Sequence, residues 1–331
     1  MKVLIVKKKD SCWPFVEEQV KALMQTIHKT PISDCRLKIV DLEVEWHLIE
    51  GKGMLAYVRD IPKLIRDIRR LKPDVLHAHY GMSGLYTCLV SRLLIWRKRI
   101  PVVVTYHGSD INKQNVRKLS KMAIRMADYN IFVSPKLKEQ VECGKNSDVI
   151  PCGINWEDWP EMTKAEAREK MRLSKDMRYV LFSSNFHSPV KNPALALQVI
   201  EDLILKIEDL ELIELTGYKR DEVNALMRGA DVCLMTSYTE GSPQFIKEAM
   251  VCGCPIVTTR VGDAEYVIGD TEGCYFTDYS VEDCAKQLEK ALDFAAKHDR
   301  TKGRERIETL GYSNDVVARK IIDVYNGLLK R

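Results

Sequence analysis

The sequence predicts an α/β protein of two doubly wound, Rossmann-like domains facing a central cleft. Three observations carry that expectation. Short apolar runs rich in Val and Ile alternate with longer segments of helical period, the pattern of parallel strands joined by crossover helices. The alternation stops once, between Pro151 and Lys164, in a stretch holding Gly153, Trp156, Trp159 and Pro160, and then resumes. The length, 331 residues with 45% hydrophobic and 30% charged, suffices for two cores of ordinary size.

In the first half, strands are expected at Val3 to Val6, Leu37 to Leu42, Asp74 to Ala78, Pro101 to Tyr106 and Asn130 to Ser134, each leading into a helix or loop. In the second half they are expected at Tyr179 to Ser183, Leu210 to Leu215, Val232 to Thr236, Pro255 to Thr259 and Cys274 to Phe276. Helices at Val281 to Lys297 and Asp315 to Leu329 close the chain. The expected division is a first Rossmann-like domain at 1–155, a second at 156–312, and a terminal helix at 313–331 that crosses back to the first domain. Ligands of open α/β sheets bind beyond the carboxyl ends of the strands, so the loops after strands are where function is sought.

Composition removes several classes. Met1 to Asp10 hold only Val3 to Val6 before Lys7, Lys8 and Lys9, which is not a signal peptide. The best candidate for a spanning helix, Leu85 to Trp96, is broken by Thr87, Ser91 and Arg92, far short of the roughly 18 apolar residues required. Ten cysteines without a C-x-x-C pair suit a reducing compartment, so a cytoplasmic protein is expected. Net charge is +4, but residues up to Ile150 carry 27 Lys and Arg against 16 Asp and Glu, leaving 24 against 31 for the remainder. The basic half, with Trp96-Arg97-Lys98-Arg99 and five basic residues from Lys113 to Arg125, suits peripheral contact with an anionic membrane at the inner face of the cell membrane, or simply a solvated surface.

The most informative stretch runs from Asp231 to Gly262, in the order strand, loop, capped helix, strand. Ser242 can cap the helix, Pro243 suits its first position, and Gly253 supplies a left-handed stop before Pro255, so a helix from Pro243 to Cys252 is expected. Its amino end, with unpaired amides and the positive end of its dipole, forms an anion site suited to a diphosphate. Glu240 precedes it. Glu248 lies within it, where a carboxylate can accept two hydrogen bonds from a vicinal diol such as a ribose. Spacing alone favours reading both acids as solvated charges; the GSP cap and the surrounding strands reverse that.

Glu240 and Glu248, in EGSPQFIKE, match the E-x7-E signature, and the chain resembles the retaining family 4 glycosyltransferases of the GT-B fold. The resemblance extends through PDVLHAHYGMSG, VVVTYHGSD, VIPCGIN and SSNFHSPVKN, and is strongest to bacterial enzymes that build surface polysaccharides. It implies a transferase that moves a sugar from a UDP- or GDP-sugar to a glycan or lipid-linked acceptor, with retention and without a cofactor or metal. It places Glu248 on the ribose, Glu240 on hydroxyls of the donor sugar, and the loop and first turn Gly241, Ser242, Pro243, Gln244 and Phe245 on phosphate or sugar. Lys191 falls on the phosphate-binding lysine. The family arginine a few residues earlier is replaced by Asn185, Phe186 and His187, leaving Asn185 and His187 as donor contacts. His107 falls at the reacting centre, and His79, Gly81, Ser83 and Gly84 on the acceptor side of the cleft.

The residues of YHGSD have readings of their own. Gly108 permits close backbone approach, and Asp110 can cap a following helix. His77 and His79 alternate along a strand and so share a face, either as part of a metal site or, for His77, as a buried residue. Two departures from the family stand out. KKKDSCWPF replaces the glycine pair after the first strand, and Lys7 to Lys9 there either supply charge or face water. The connection TGYKRDEVNALMRGA is short, which would remove one strand and one helix from the second domain.

Rival activities lack their motifs. Retaining hydrolases hold two acids about 5 Å apart with water access, whereas this pair brackets a nucleotide sugar. No D-x-D triplet, G-x-G-x-x-G after the first strand, or G-x-x-x-x-G-K-[ST] occurs, which argues against metal-dependent transferases, dehydrogenases and P-loop nucleotidases. The basic residues do not interleave with aromatics, so nucleic acid is not expected as a partner. The alternative is a catalytically inactive nucleotide-sugar-binding partner or sensor.

Overall fold

The computed structural model describes residues 1–9, 14–29, 42–94, 99–144 and 146–330. The chain divides into two compact units, Met1–Gly153 with Asn314–Arg331, and Ile154–Ser313.

The first unit contains β1 (Lys2–Lys8), α1 (Pro14–Lys29), β2 (Glu43–Ile49), α2 (Gly53–Leu71), β3 (Val75–His79), α3 (Gly81–Leu93), β4 (Val102–Tyr106), α4 (Ser109–Asn112), α5 (Gln114–Met126), β5 (Tyr129–Phe132), α6 (Pro135–Gln140) and β6 (Ser147–Val149). All six strands are parallel, in the order β2-β1-β3-β4-β5-β6. Val3 to Val6 and all of Val102–Tyr106 are buried, as expected of strands covered by helices on both faces. The Val and Ile runs thus mark these strands to within a residue or two. The expected strand at Leu37 to Leu42 falls, apart from Leu42, outside the described residues; β2 instead uses EVEWHLI. Its outer position in the sheet leaves Glu43 to Trp46 partly solvated, so it does not read as an apolar run.

The second unit contains α7 (Lys164–Met171), β7 (Arg178–Phe182), α8 (Pro193–Ile204), β8 (Leu210–Glu214), α9 (Arg220–Gly229), β9 (Val232–Met235), α10 (Gln244–Cys252), β10 (Ile256–Thr259), α11 (Ala264–Ile268), β11 (Cys274–Thr277), α12 (Val281–Lys297) and α13 (Gly303–Thr309). Its five parallel strands follow the order β11-β10-β9-β7-β8. Only α9 connects β8 with β9, and this sheet has one strand fewer than the first. The chain enters and leaves this unit side by side through a parallel bridge between Ile154 and Ser313. The last helix, α14 (Asn314–Leu329), packs on α1 in the first unit and buries Ile321, Ile322 and Tyr325.

In each sheet the strand order reverses once, between β1 and β3 and between β7 and β9. Loops diverge at these points, which makes them the places where a doubly wound sheet holds ligands.

Candidate functional site

The reversal in the second sheet brings together the loops after β7 and β9. Asn185 turns the first back on itself, its carboxamide oxygen accepting from the His187 N–H at 3.0 Å, and leaves the His187 side chain exposed. A short 3-10 turn, Pro189–Lys191, follows, and Asn192 adopts φ 50° before Pro193 opens α8. The second loop is fastened to the first. The Thr236 hydroxyl lies 2.9 Å from the carbonyls of both Lys191 and Asn192, and the Tyr238 N–H donates to Val190 O at 2.9 Å. This double attachment places the Lys191 ammonium 2.6 Å from Glu240 Oε1, with both side chains partly exposed.

α10 starts one residue later than the sequence suggests, at Gln244, and Ser242 does not cap it. The Ser242 hydroxyl donates instead to Asp263 Oδ2 at 2.7 Å. Asp263 is the stronger attraction because burial disfavours its charge, raising its carboxyl above the usual range and leaving it in need of donors. Gly262 also braces this loop. It adopts φ +58°, and a Cβ there would lie 2.9 Å from the Gly241 carbonyl, so both conformation and space require glycine. Phe245 is buried, and Gln244 Oε1 accepts from the fully buried Lys247 at 2.9 Å. What this helix end can offer an anion is its first-turn amides and dipole, with Phe245 turned into the core.

Glu248 is 7% exposed, and its Oε1 accepts from Arg220 Nη1 at 2.7 Å. Arg220 opens α9, where the Glu222 carboxylate accepts from the Lys219 N–H. Its guanidinium lies 4.6 Å from the Trp159 ring centroid and 3.9 Å from Asp158 Oδ2. Sequence reasoning missed this partner; the available signal was the short connection that carries it. The unit thus collects Lys191, Glu240, the α10 amino end and Glu248 in neighbouring loops and on one helix.

The reversal in the first sheet collects histidines. His77 Nδ1 lies 2.6 Å from the Tyr325 hydroxyl and Nε2 2.8 Å from Thr105 Oγ1. Burial pushes His77 down to about 3, so it is neutral at ordinary pH. His79 stacks on His77 with centroids 4.6 Å apart, and burial holds it well below its ordinary value. His79 Nδ1 is 2.9 Å from His107 Nε2, and Cys152 Sγ is 3.9 Å from His107 Nδ1. No group of three metal-ligating side chains occurs among the described residues, and His77 serves as a buried link between sheet and last helix.

Asp110 does not cap the helix that follows it. Its carboxylate turns back to accept from the N–H groups of Gly81, His107 and Gly108, pinning α3 to the loop after β4, while burial lifts it to about 6. Gly108 adopts φ 118°. Ser83 and Gly84 are buried, and a Cβ at Gly84 would meet Val104 at 2.5 Å. A Cβ at Gly81 would lie closer still, 2.0 Å from Ser120 Oγ. These positions serve close helix packing rather than an open wall. Tyr80, unnoticed in the sequence, holds φ 73° and tilts its ring 4.7 Å from His107, a strained backbone at the end of β3. Lys7 is likewise buried, donating to Glu17 at 3.1 Å beside the Trp46 ring, so it does not face water.

Two six- and five-stranded parallel Rossmann-like units define the GT-B fold, and solved structures agree. Sucrose-phosphate synthase from Thermosynechococcus elongatus superposes with TM-score 0.77 at 17% identity, covering 100% of this chain and 99% of that one. Anabaena HepE in complex with UDP and glucose gives 0.70 at 15% identity, covering 99% and 100%. Residues 34–158 match the model of Glycosyltransferase Family 4, and residues 198–293 that of Glycosyl transferases group 1. The chain belongs to the family 4 glycosyltransferases, of bacterial type. A curated relative, the putative teichuronic acid biosynthesis glycosyltransferase TuaC of Bacillus subtilis, is 28% identical over 229 residues, spanning 61% of this chain and 57% of TuaC. Among the described residues, no helix is long and apolar enough to cross a membrane.

Proposed function

We propose that this protein transfers a sugar, with retention, from a UDP- or GDP-sugar to a glycan or lipid-linked acceptor in surface polysaccharide synthesis. The observation that carries the reading is the Lys191–Glu240 pair, fastened between two loops at the reversal of the second sheet. Each member answers one part of the donor. The ammonium can neutralise the departing diphosphate together with the amino end of α10, and the carboxylate can receive sugar hydroxyls. Donor entry then exchanges the contact between them for contacts to the donor. Glu248 receives the ribose diol. Loss of the diphosphate leaves an oxocarbenium-like sugar, and a leaving-phosphate oxygen takes the acceptor proton, so the new bond forms on the face the diphosphate left. His107 in the first unit contributes to the chemical step. HepE, whose complex contains UDP and glucose, supports the choice of donor, and the biosynthetic role named for TuaC supports the product class.

For the acceptor, the first unit offers a cavity of about 490 Å³ between α1 and the β1–β2 edge, with Val20, Met24, Trp46 and Leu48 as apolar lining and Lys7, Lys9 and Lys21 beside Glu17. That combination suits an apolar chain bearing an anionic head. Nucleotide release from a panel of UDP- and GDP-sugars, with a membrane extract as acceptor source, tests the activity. Wild type is expected to release one nucleotide, and Lys191→Ala to lower turnover by about 10² to 10³. No release from any donor, or equal turnover in the variant, would overturn the reading.

The same unit is proposed to contact an anionic membrane. Trp96 to Lys98 lie outside the described residues, but Lys113 before α5 and Lys118 and Arg125 on it are exposed, and α2 exposes Met54, Leu55 and Val58 followed by Arg59, Lys63 and Arg66. The acids of α2 turn inward, Asp60 and Asp67 both reaching His47. Co-sedimentation with anionic vesicles that weakens with salt is expected. Absence of binding at low salt would count against it.

A further inference from the structure

We infer that Arg220 is the positioning residue for ribose recognition: it fixes the Glu248 carboxylate through one oxygen so that the other is presented to the diol. The inference rests on the donor-site reading above and deepens it. Three observations carry it. First, the carboxylate is almost wholly buried on a helix, where an ionised group without a counter-charge is costly, and Arg220 Nη1 meets Oε1 at 2.7 Å. Among the described residues, Oε2 receives no protein hydrogen bond. Secondly, Arg220 is itself held in place. Its guanidinium lies 4.6 Å from the ring centroid of Trp159, which is fully buried, and Asp158 stands 3.9 Å from its Nε. Thirdly, the residue comes from the short β8–β9 connection, in which α9 opens at Arg220, after the loop of residues 215–219, and packs against α10, bringing a cation to it. A planar guanidinium resting on an aromatic face has few orientations, so it transmits a fixed direction to the carboxylate that a flexible ammonium would not.

The account predicts that Arg220 acts on nucleoside binding and only through Glu248. Dissociation constants for UDP, GDP and inorganic pyrophosphate would be measured for wild type, Arg220→Ala, Arg220→Lys, Glu248→Ala and the double alanine variant. For the nucleotide that wild type binds, Arg220→Ala and Glu248→Ala should each weaken binding about tenfold, and the double variant no more than Glu248→Ala alone. Arg220→Lys should recover part of the loss and controls for a failure of the alanine variant to fold. Pyrophosphate affinity should stay within twofold throughout.

Unchanged nucleotide binding in Arg220→Ala, with binding lost in Glu248→Ala, would overturn this inference and leave the donor site standing. Additive losses, or weaker pyrophosphate binding in Arg220→Ala, would show that Arg220 acts independently of Glu248, and would also overturn it. Wild-type binding in Glu248→Ala would instead remove the donor-site reading on which the inference depends.

Discussion

The reversal points of the two sheets are built from opposite materials. In the first unit it is a dry stack, with His77 between Tyr325 and Thr105 and His79 on it, both kept neutral by burial, and the half-buried His107 at its end. In the second it is two charged pairs, Lys191 with Glu240 and Arg220 with Glu248, of which the first is partly open to solvent. Neutral buried bonds hold a shape, whereas charges kept near the surface can be exchanged for those of a ligand. Histidines in a strand of a transferase invite a chemical reading, but His77 and His79 are sealed from solvent, and His107, just past the next strand, is the half-buried end of their network. The first network is expected to matter for stability and the second for turnover.

The largest expected effect on stability separates the two in acid. His77 titrates near 3 in the folded chain and near 6.5 when unfolded, so below 6.5 the unfolded chain binds the additional proton and stability falls as pH falls. Between pH 7 and 4.5 this amounts to about 3 kcal/mol, and His77→Gln should remove that part of the slope in denaturant titrations at the two pH values. An unchanged slope would mean that the histidine network is not the dry structural element described. A smaller effect sharpens the same contrast at Gly84. An alanine there must displace Val104, costing about 1–3 kcal/mol in unfolding free energy while nucleotide affinity stays at the wild-type value. Weakened nucleotide binding without loss of stability would make that position part of a binding surface instead.

Much of this was legible in the sequence, for physical reasons that differ by region. Buried parallel strands are continuous runs of Val and Ile, so Val102–Tyr106 and Ile256–Thr259 declare themselves, whereas an edge strand such as Glu43–Ile49 carries acids and does not. β6 has three residues, too few for a pattern. Lys191, Glu240 and Glu248 could be named through the family resemblance carried by the E-x7-E block and the SSNFHSPVKN loop; by themselves a lone lysine and two acids read as surface charges. The side chains that bind Glu248 and Ser242 could not. Arg220 reaches Glu248 across 28 positions, and Ser242 leaves the helix it could have capped for Asp263, 21 residues away. A capping signature states what a hydroxyl can do locally, and a buried carboxylate brought near by the fold offers it a stronger bond.

The central claim is that the charged loops of the second unit form the donor site. It is tested most directly by the melting shift of wild type and Glu248→Ala with UDP, GDP, ADP and CMP. Ligand at about 100 times its dissociation constant stabilises a protein by roughly 2.7 kcal/mol, a shift readily measured. The account predicts a shift with UDP or GDP in wild type that is lost in Glu248→Ala. A shift that persists in the variant, or none with any nucleotide, would contradict it.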